Sequence, residues 1–207
     1  MSHLYELESF VMRLIPKNRK ISVIDIGCGK GTWGYLLRAL RGNVRYLCGV
    51  DITPAYLKFV KERNIYDDLV LCDCTYLPFR DGSFDLVLLS EVLEHLEKKQ
   101  GYVVLKQLER IARQLIIITV PQGFVKQESV CGISAEKHRS AWYTSEFKKL
   151  GYKVTGIGCR LVKYHLAEKH PHLWGAAHYI FTPIAYLIPY VAGYLICFKE
   201  LTFLLKA

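Results

Sequence analysis

The chemistry of this chain gathers where glycines meet carboxylates. The run Val23-Ile24-Asp25-Ile26-Gly27-Cys28-Gly29-Lys30-Gly31-Thr32-Trp33-Gly34 carries an apolar stretch directly into a glycine turn. Glycine there lets the backbone bend tightly and lets a ligand approach the main chain. Gly29, Gly31 and Gly34 also fit the G-x-G-x-x-G register of a dinucleotide site. Asp25 argues against that reading, because a carboxylate under the turn repels a pyrophosphate and favours a ligand carrying positive charge. Asp51 closes Gly49-Val50-Asp51, 20 residues beyond Gly31. An acid at that point can accept hydrogen bonds from both hydroxyls of a ribose. It does so for either kind of ligand, so it does not choose between them.

Asp73, in Cys72-Asp73-Cys74-Thr75, is expected to end a strand, where its side chain can accept from an adenine amino group and the Cys74 N–H can donate to the ring. The plainer alternative is that Asp73 caps a loop. Ser90-Glu91-Val92-Leu93-Glu94-His95 follows a strongly apolar run and offers polar groups at one edge of the fold. His95, and His138 in His138-Arg139-Ser140-Ala141-Trp142, are candidate bases, set against ordinary packing of the His95 ring and a core role for Trp142. No metal site is expected, since Cys72 and Cys74 have no His or Cys pair nearby in sequence to complete one.

These residues need a scaffold, and the periodicity predicts one. Residues 3–15 place Leu4, Leu7, Phe10, Val11 and Leu14 at helical spacing. Strands are expected at Ile21 to Ile26, Arg45 to Val50, Leu69 to Cys72, Phe84 to Leu89, Leu115 to Val120, Lys153 to Ile157 and Gly193 to Phe198. Helices are expected from Thr32 to Leu40, Pro54 to Glu62 and Tyr102 to Ala112, and in a segment ending near Gly151 whose N-cap would be Thr144 or Ser145. Alternation of this kind implies an α/β fold with a doubly wound, mostly parallel seven-stranded sheet covered on both faces. Ligands of such sheets bind at the carboxyl ends of the strands.

In order and spacing, V-I-D-I-G-C-G-K-G, G-V-D, C-D-C-T-Y-L-P-F, S-F-D-L-V-L-L-S-E-V-L-E-H-L and I-T-V-P resemble the motifs of class I methyltransferases, and among them the type 11 subgroup. The resemblance spans roughly residues 20–125. It implies a Rossmann-like fold and S-adenosylmethionine as cofactor, whose sulfonium and ammonium suit Asp25. It implies methionine-moiety and backbone contacts at Asp25, Gly27, Cys28 and Gly29, and ribose contact at Asp51 with Ile52 beside it. Adenine contact is implied at Asp73 and Cys74, and further cofactor contact at Ser90 and Glu91. The implied activity is methyl transfer to a small-molecule or lipid-like acceptor. A noncatalytic S-adenosylmethionine-binding module and a membrane-associated lipid methyltransferase are the alternatives.

Composition narrows the setting. The 207 residues carry a net charge of +9 and are 51% hydrophobic, which suits one domain with a real core. That domain is read as residues 1–207, with an N-terminal helix in 1–19 and a cofactor-binding core in 20–125. Residues 121–207 hold 11 Lys and Arg against 5 Asp and Glu. The excess permits an anionic partner and leaves nucleic acid open. Seven cysteines without C-x-x-C read as buried residues of a reducing, cytoplasmic compartment. Met1 to Lys20 lacks the pattern of a signal peptide. Leu173 to Phe198 holds no charged residue, but Pro183 and Pro189 break it against a membrane span. Residues 160–190 are read instead as an apolar insertion or lid between strands six and seven. It would wall an amphiphilic acceptor's site and allow peripheral membrane contact.

Overall fold

A computed structural model describes residues 3–128, 134–159, 184, 187–189 and 192–201. Strands β1 (Ile21–Ile26), β2 (Val44–Asp51), β3 (Asp68–Leu71), β4 (Phe84–Ser90), β5 (Ala112–Pro121), β6 (Lys153–Cys159) and β7 (Ala192–Glu200) form one sheet in the order β3-β2-β1-β4-β5-β7-β6. Its first five strands run parallel, and β7 lies antiparallel between β5 and β6. Helices α1 (His3–Leu14), α2 (Thr32–Leu40), α3 (Pro54–Lys61), α4 (Lys98–Ile111) and α5 (Thr144–Lys149) make the connections.

The strands are apolar on both faces because both faces are covered. Ile24, Ile26, Val87 and Leu89 pack with Val104 and Leu108 of α4. Their neighbours Val23, Leu86 and Leu88 point the other way, onto Leu7 and Val11 of α1 and Leu37 of α2. Period-two alternation thus divides one run of hydrophobes between two cores. Asp85 is the exception within β4. It accepts from the Ser22 N–H at 2.8 Å, the Ser22 hydroxyl at 2.9 Å and Arg113 at 2.7 Å. Burial opposes its charge, yet these donors outweigh burial and hold the carboxyl below its usual range. Its role is to tie β4 to β1 and β5.

The chain winds one way from β1 to β2 and β3 and the other way from β4 to β5. The switch point therefore falls between β1 and β4, and a crevice opens at their carboxyl ends. Several element ends differ from the sequence reading by a few residues, α4 beginning at Lys98 and β5 at Ala112, and two of the differences bear on named residues. β3 stops at Leu71, so Asp73 does not end a strand; it caps the short 3-10 turn Cys74–Tyr76. The N-cap of α5 is Tyr143 rather than Thr144 or Ser145, because the buried Thr144 hydroxyl is taken by Gln122 at 2.7 Å. Apart from 184 and 187–189, the insertion or lid expected at 160–190 lies outside the described residues. No helix among the described residues is long and apolar enough to cross a membrane.

Candidate functional site

The glycine turn is fastened to the strand beside it. The N–H groups of Gly27 and Cys28 both donate to the Val50 carbonyl, at 2.8 and 2.9 Å. Gly27 has φ +73°, and a Cβ there would stand 2.3 Å from Val92 Cγ2, so no larger residue fits. Gly29 has φ +50°, and the space where its Cβ would point is open. Gly34, the third glycine of the dinucleotide register, serves packing: a Cβ there would meet the Tyr66 ring at 2.5 Å.

Asp51, 7% exposed, is held by this turn. Its Oδ2 accepts from the Gly29 N–H at 2.8 Å and its Oδ1 from the Thr53 N–H at 2.8 Å. Each carboxylate oxygen keeps a second lone pair for a ligand hydroxyl. Next to it Ile52 is 52% exposed, an apolar side chain left for a flat ligand group to cover. Asp73 spends Oδ1 on the N–H and hydroxyl of Thr75, both at 2.8 Å. The loop-capping alternative is thus realised, while Oδ2 stays available to a ligand.

These residues wall a cavity of about 660 Å³ at the switch point. It collects Gly27, Cys28, Gly29, Asp51, Ile52, Asp73, Cys74, Ser90, Glu91 and His95 from the sequence-predicted set. Among the described residues five carboxylates face it (Glu8, Asp51, Asp73, Glu91 and Glu136) against two fixed cations, Lys30 and Arg139. A protein of net charge +9 has therefore built an acidic hollow, which attracts a cation and resists a pyrophosphate.

Asp25 is not on the wall. It lies beneath the turn, 1% exposed, and its Oδ2 accepts from the Tyr66 hydroxyl at 2.6 Å. Oδ1 is buried without a hydrogen-bond partner among the described residues. Burial pushes the carboxyl up to about 7, the Tyr66 bond works against that, and the nearby Asp51 adds to it. Asp25 is therefore only partly ionised near neutral pH, and it can favour a cationic ligand through the field rather than by contact. Burial first, then Asp25 and Asp51, drives the Cys28 thiol far upward, and burial and Asp73 push Cys74 to about 12. Both thiols are thus favoured in the neutral form.

Glu91 was expected only as a cofactor contact, and the structure adds strain to it. Its φ of +54° is a left-handed conformation rare for a side chain of this size. Its N–H donates to the Thr119 carbonyl at 3.0 Å, and its Oε1 accepts from the Thr119 hydroxyl at 2.9 Å. Ser90 Oγ also lies 2.7 Å from that hydroxyl. Thr119 was missed in the sequence because it reads as one more residue of an apolar strand.

His95 sits in the 3-10 turn Leu93–His95, half-buried on the wall. Burial and the neighbouring His138 ring, 4.8 Å away between centroids, hold its pKa below the ordinary histidine range. His138 is buried behind it and outside the lining, its Nδ1 2.7 Å from the Val125 carbonyl. Trp142 is fully buried and belongs to the core, its indole N–H donating to the Leu93 carbonyl at 3.1 Å.

Residues 24–117 match the family described as Methyltransferase domain. An uncharacterized protein of Methanocaldococcus jannaschii is 29% identical over 129 residues, 61% of this chain and 53% of that one. The 18S rRNA (guanine(1575)-N(7))-methyltransferase of Saccharomyces cerevisiae is 39% identical over 75 residues, 36% of this chain and 26% of that one. The chain thus spans between a quarter and about half of these relatives. A SAM-dependent methyltransferase from Archaeoglobus fulgidus shares the fold at TM-score 0.62 and 19% identity, over 95% of this chain and 94% of that one.

Proposed function

We propose, from the premise that residues 24–117 are a methyltransferase domain of the class I fold, that this chain binds S-adenosylmethionine and transfers its methyl group to a small or lipid-like acceptor. The observation that carries the reading is the acidic hollow around the glycine turn, with the orphaned Asp25 oxygen beneath it. When bound, the cofactor would supply an electrophilic methyl carbon, and its sulfonium sulfur would leave as a neutral thioether.

The chain's own part is to hold and orient. Asp51 accepts the ribose hydroxyls, its position fixed by Gly29 and Thr53. Ile52 covers one face of the base, and Asp73 Oδ2 accepts from the base's amino group. Gly27, Cys28 and Gly29 keep the main chain open to the methionine portion, and the hollow's net negative charge balances the ligand's cations. Ser90 and Glu91 approach from the end of β4, held there by Thr119. Orientation of this kind supplies most of the rate in a displacement that needs no covalent intermediate. His95 is the wall residue that can take a proton from an acceptor hydroxyl or ammonium, with His138 behind it.

A transfer assay tests the reading. Purified protein is incubated with cofactor labelled on its methyl carbon and with cell extract separated into lipid, small-molecule and RNA fractions. Label is expected in the lipid or small-molecule fraction, and it should be absent with Asp51→Ala. Label in RNA alone would keep the enzyme and overturn the acceptor class. No label in any fraction, with cofactor binding intact, would leave a binding module.

A further inference from the structure

Beside the cofactor hollow the fold assembles three side chains that the sequence shows only as scattered residues. Glu94 and His95 come from the turn after β4, and His138 comes from the segment before α5. One ligand atom from each lies within 4.8 Å of the other two. Glu94 is 3% and His138 8% exposed, while His95 is half-buried on the wall of the cavity.

We propose that Glu94, His95 and His138 form a binding site for one divalent cation of the zinc class. Two imidazoles and a carboxylate are a borderline donor set that suits zinc, cobalt or nickel better than magnesium or calcium. Three protein ligands leave a fourth position, and on the His95 side it faces the hollow, where water or an oxygen of the acceptor can fill it.

The supporting geometry is that of an oriented site. A carbonyl can only accept, so His138 Nδ1, 2.7 Å from the Val125 carbonyl, is the donor, and Nε2 carries the lone pair. His95 Nδ1 stands 3.4 Å from the Lys137 carbonyl, the same arrangement made longer. The two segments are laced together by the Glu94 carbonyl, which accepts from the N–H groups of Arg139 at 2.7 Å and Ser140 at 3.1 Å. Ser140 Oγ donates to the Leu93 carbonyl at 3.0 Å. Tetrahedral zinc with bonds of about 2.0–2.1 Å sets its ligand atoms about 3.3 Å apart, so the widest pair closes by roughly 1.5 Å. Uptake of the ion does not depend on the methyl-transfer reading. Its use by an acceptor does: with the ion bound, His95 serves as a ligand, and the ion in its place assists loss of the acceptor's proton.

Chelator-stripped protein titrated with cobalt chloride and followed by its visible spectrum tests the site, with zinc chloride as competitor. The expected result is one equivalent bound with a tetrahedral nitrogen–oxygen spectrum and no sulfur-to-metal charge-transfer band. Glu94→Gln and His138→Asn should weaken uptake at least tenfold. His95→Gln, the change least buried of the three, should do the same. S-adenosylhomocysteine affinity, measured alongside on the Glu94 and His138 variants, should stay at the wild-type value and shows that they fold. Absence of saturable uptake would overturn the proposal. So would a thiolate band, which would move the ion to the cysteines, and so would variants that bind cobalt like the wild type.

Discussion

Replacing Asp25 with Asn probes the electrostatics under the glycine turn. The side chain is 1% exposed, and burial raises its carboxyl from 3.8 to about 7, with Tyr66 opposing and Asp51 assisting. A carboxyl raised on folding binds its proton more tightly in the folded chain than in the unfolded one. The stability it lends is complete below the unfolded value and is lost as pH climbs through about 7. Between pH 5 and pH 8 the loss is about 2–3 kcal/mol, at about 1.36 kcal/mol per unit. Asn carries no charge at any pH and still accepts from the Tyr66 hydroxyl. The Tm of the variant relative to wild type should therefore rise across that range by roughly 4–12 °C, using about 2–4 °C per kcal/mol for a chain of this size. Thermal melts of both ligand-free proteins in a pH series read this directly. A second readout is proton release. A cation bound above Asp25 pulls its pKa down, so wild-type protein binding S-adenosylmethionine at pH 7 should release a fraction of a proton, and the variant should release less. A melting difference that stays constant from pH 5 to pH 8 would refute the placement of a buried, half-titrated acid beneath the site.

Three further outcomes follow from the same geometry. Asp51→Ala removes the ribose acceptor and should weaken S-adenosylhomocysteine binding by about 2–4 kcal/mol, some 30- to 1,000-fold by calorimetry. Gly29→Ala forces a β-carbon into φ +50° and into the open space beside the ligand. It should cost about 1–2 kcal/mol of stability and abolish detectable cofactor binding. Trp142→Ala empties a fully buried site packed on Gly101 and strips a donor from the Leu93 carbonyl. Denaturant melts should show a loss of about 3–5 kcal/mol, and any effect on cofactor affinity should be small by comparison.

Much of the fold is legible in the sequence because each strand carries a local signal. Ile21–Ile26 and Phe84–Ser90 are short, β-branched or leucine-rich runs bounded by turns, and their continuous hydrophobicity announces burial on both faces. The glycine turn and Asp51 at the end of β2 are legible for the same reason: the chemistry lies within a few residues of the element that presents it. What escapes the sequence is set by tertiary neighbours. Asp25 is legible as an acid beneath the turn, but its burial off the cavity wall is not, and its protonation depends on that burial and on Tyr66, 41 positions away. Thr119 acquires its role only when β5 pairs with β4 and brings it to Ser90 and Glu91. The left-handed backbone of Glu91 has no signature, since glutamate gives no hint of positive φ. Glu94, His95 and His138 converge across more than forty residues, beyond the reach of any ligand-spacing pattern.

Calorimetric titration of the purified protein with S-adenosylhomocysteine, and separately with NAD, tests the central claim most directly. The acidic hollow at the switch point predicts saturable one-to-one binding of S-adenosylhomocysteine, no heat from NAD, and binding at least about 30-fold weaker in Asp51→Ala. Saturable binding of NAD with none of S-adenosylhomocysteine would contradict the assignment and return the glycine turn to the dinucleotide reading.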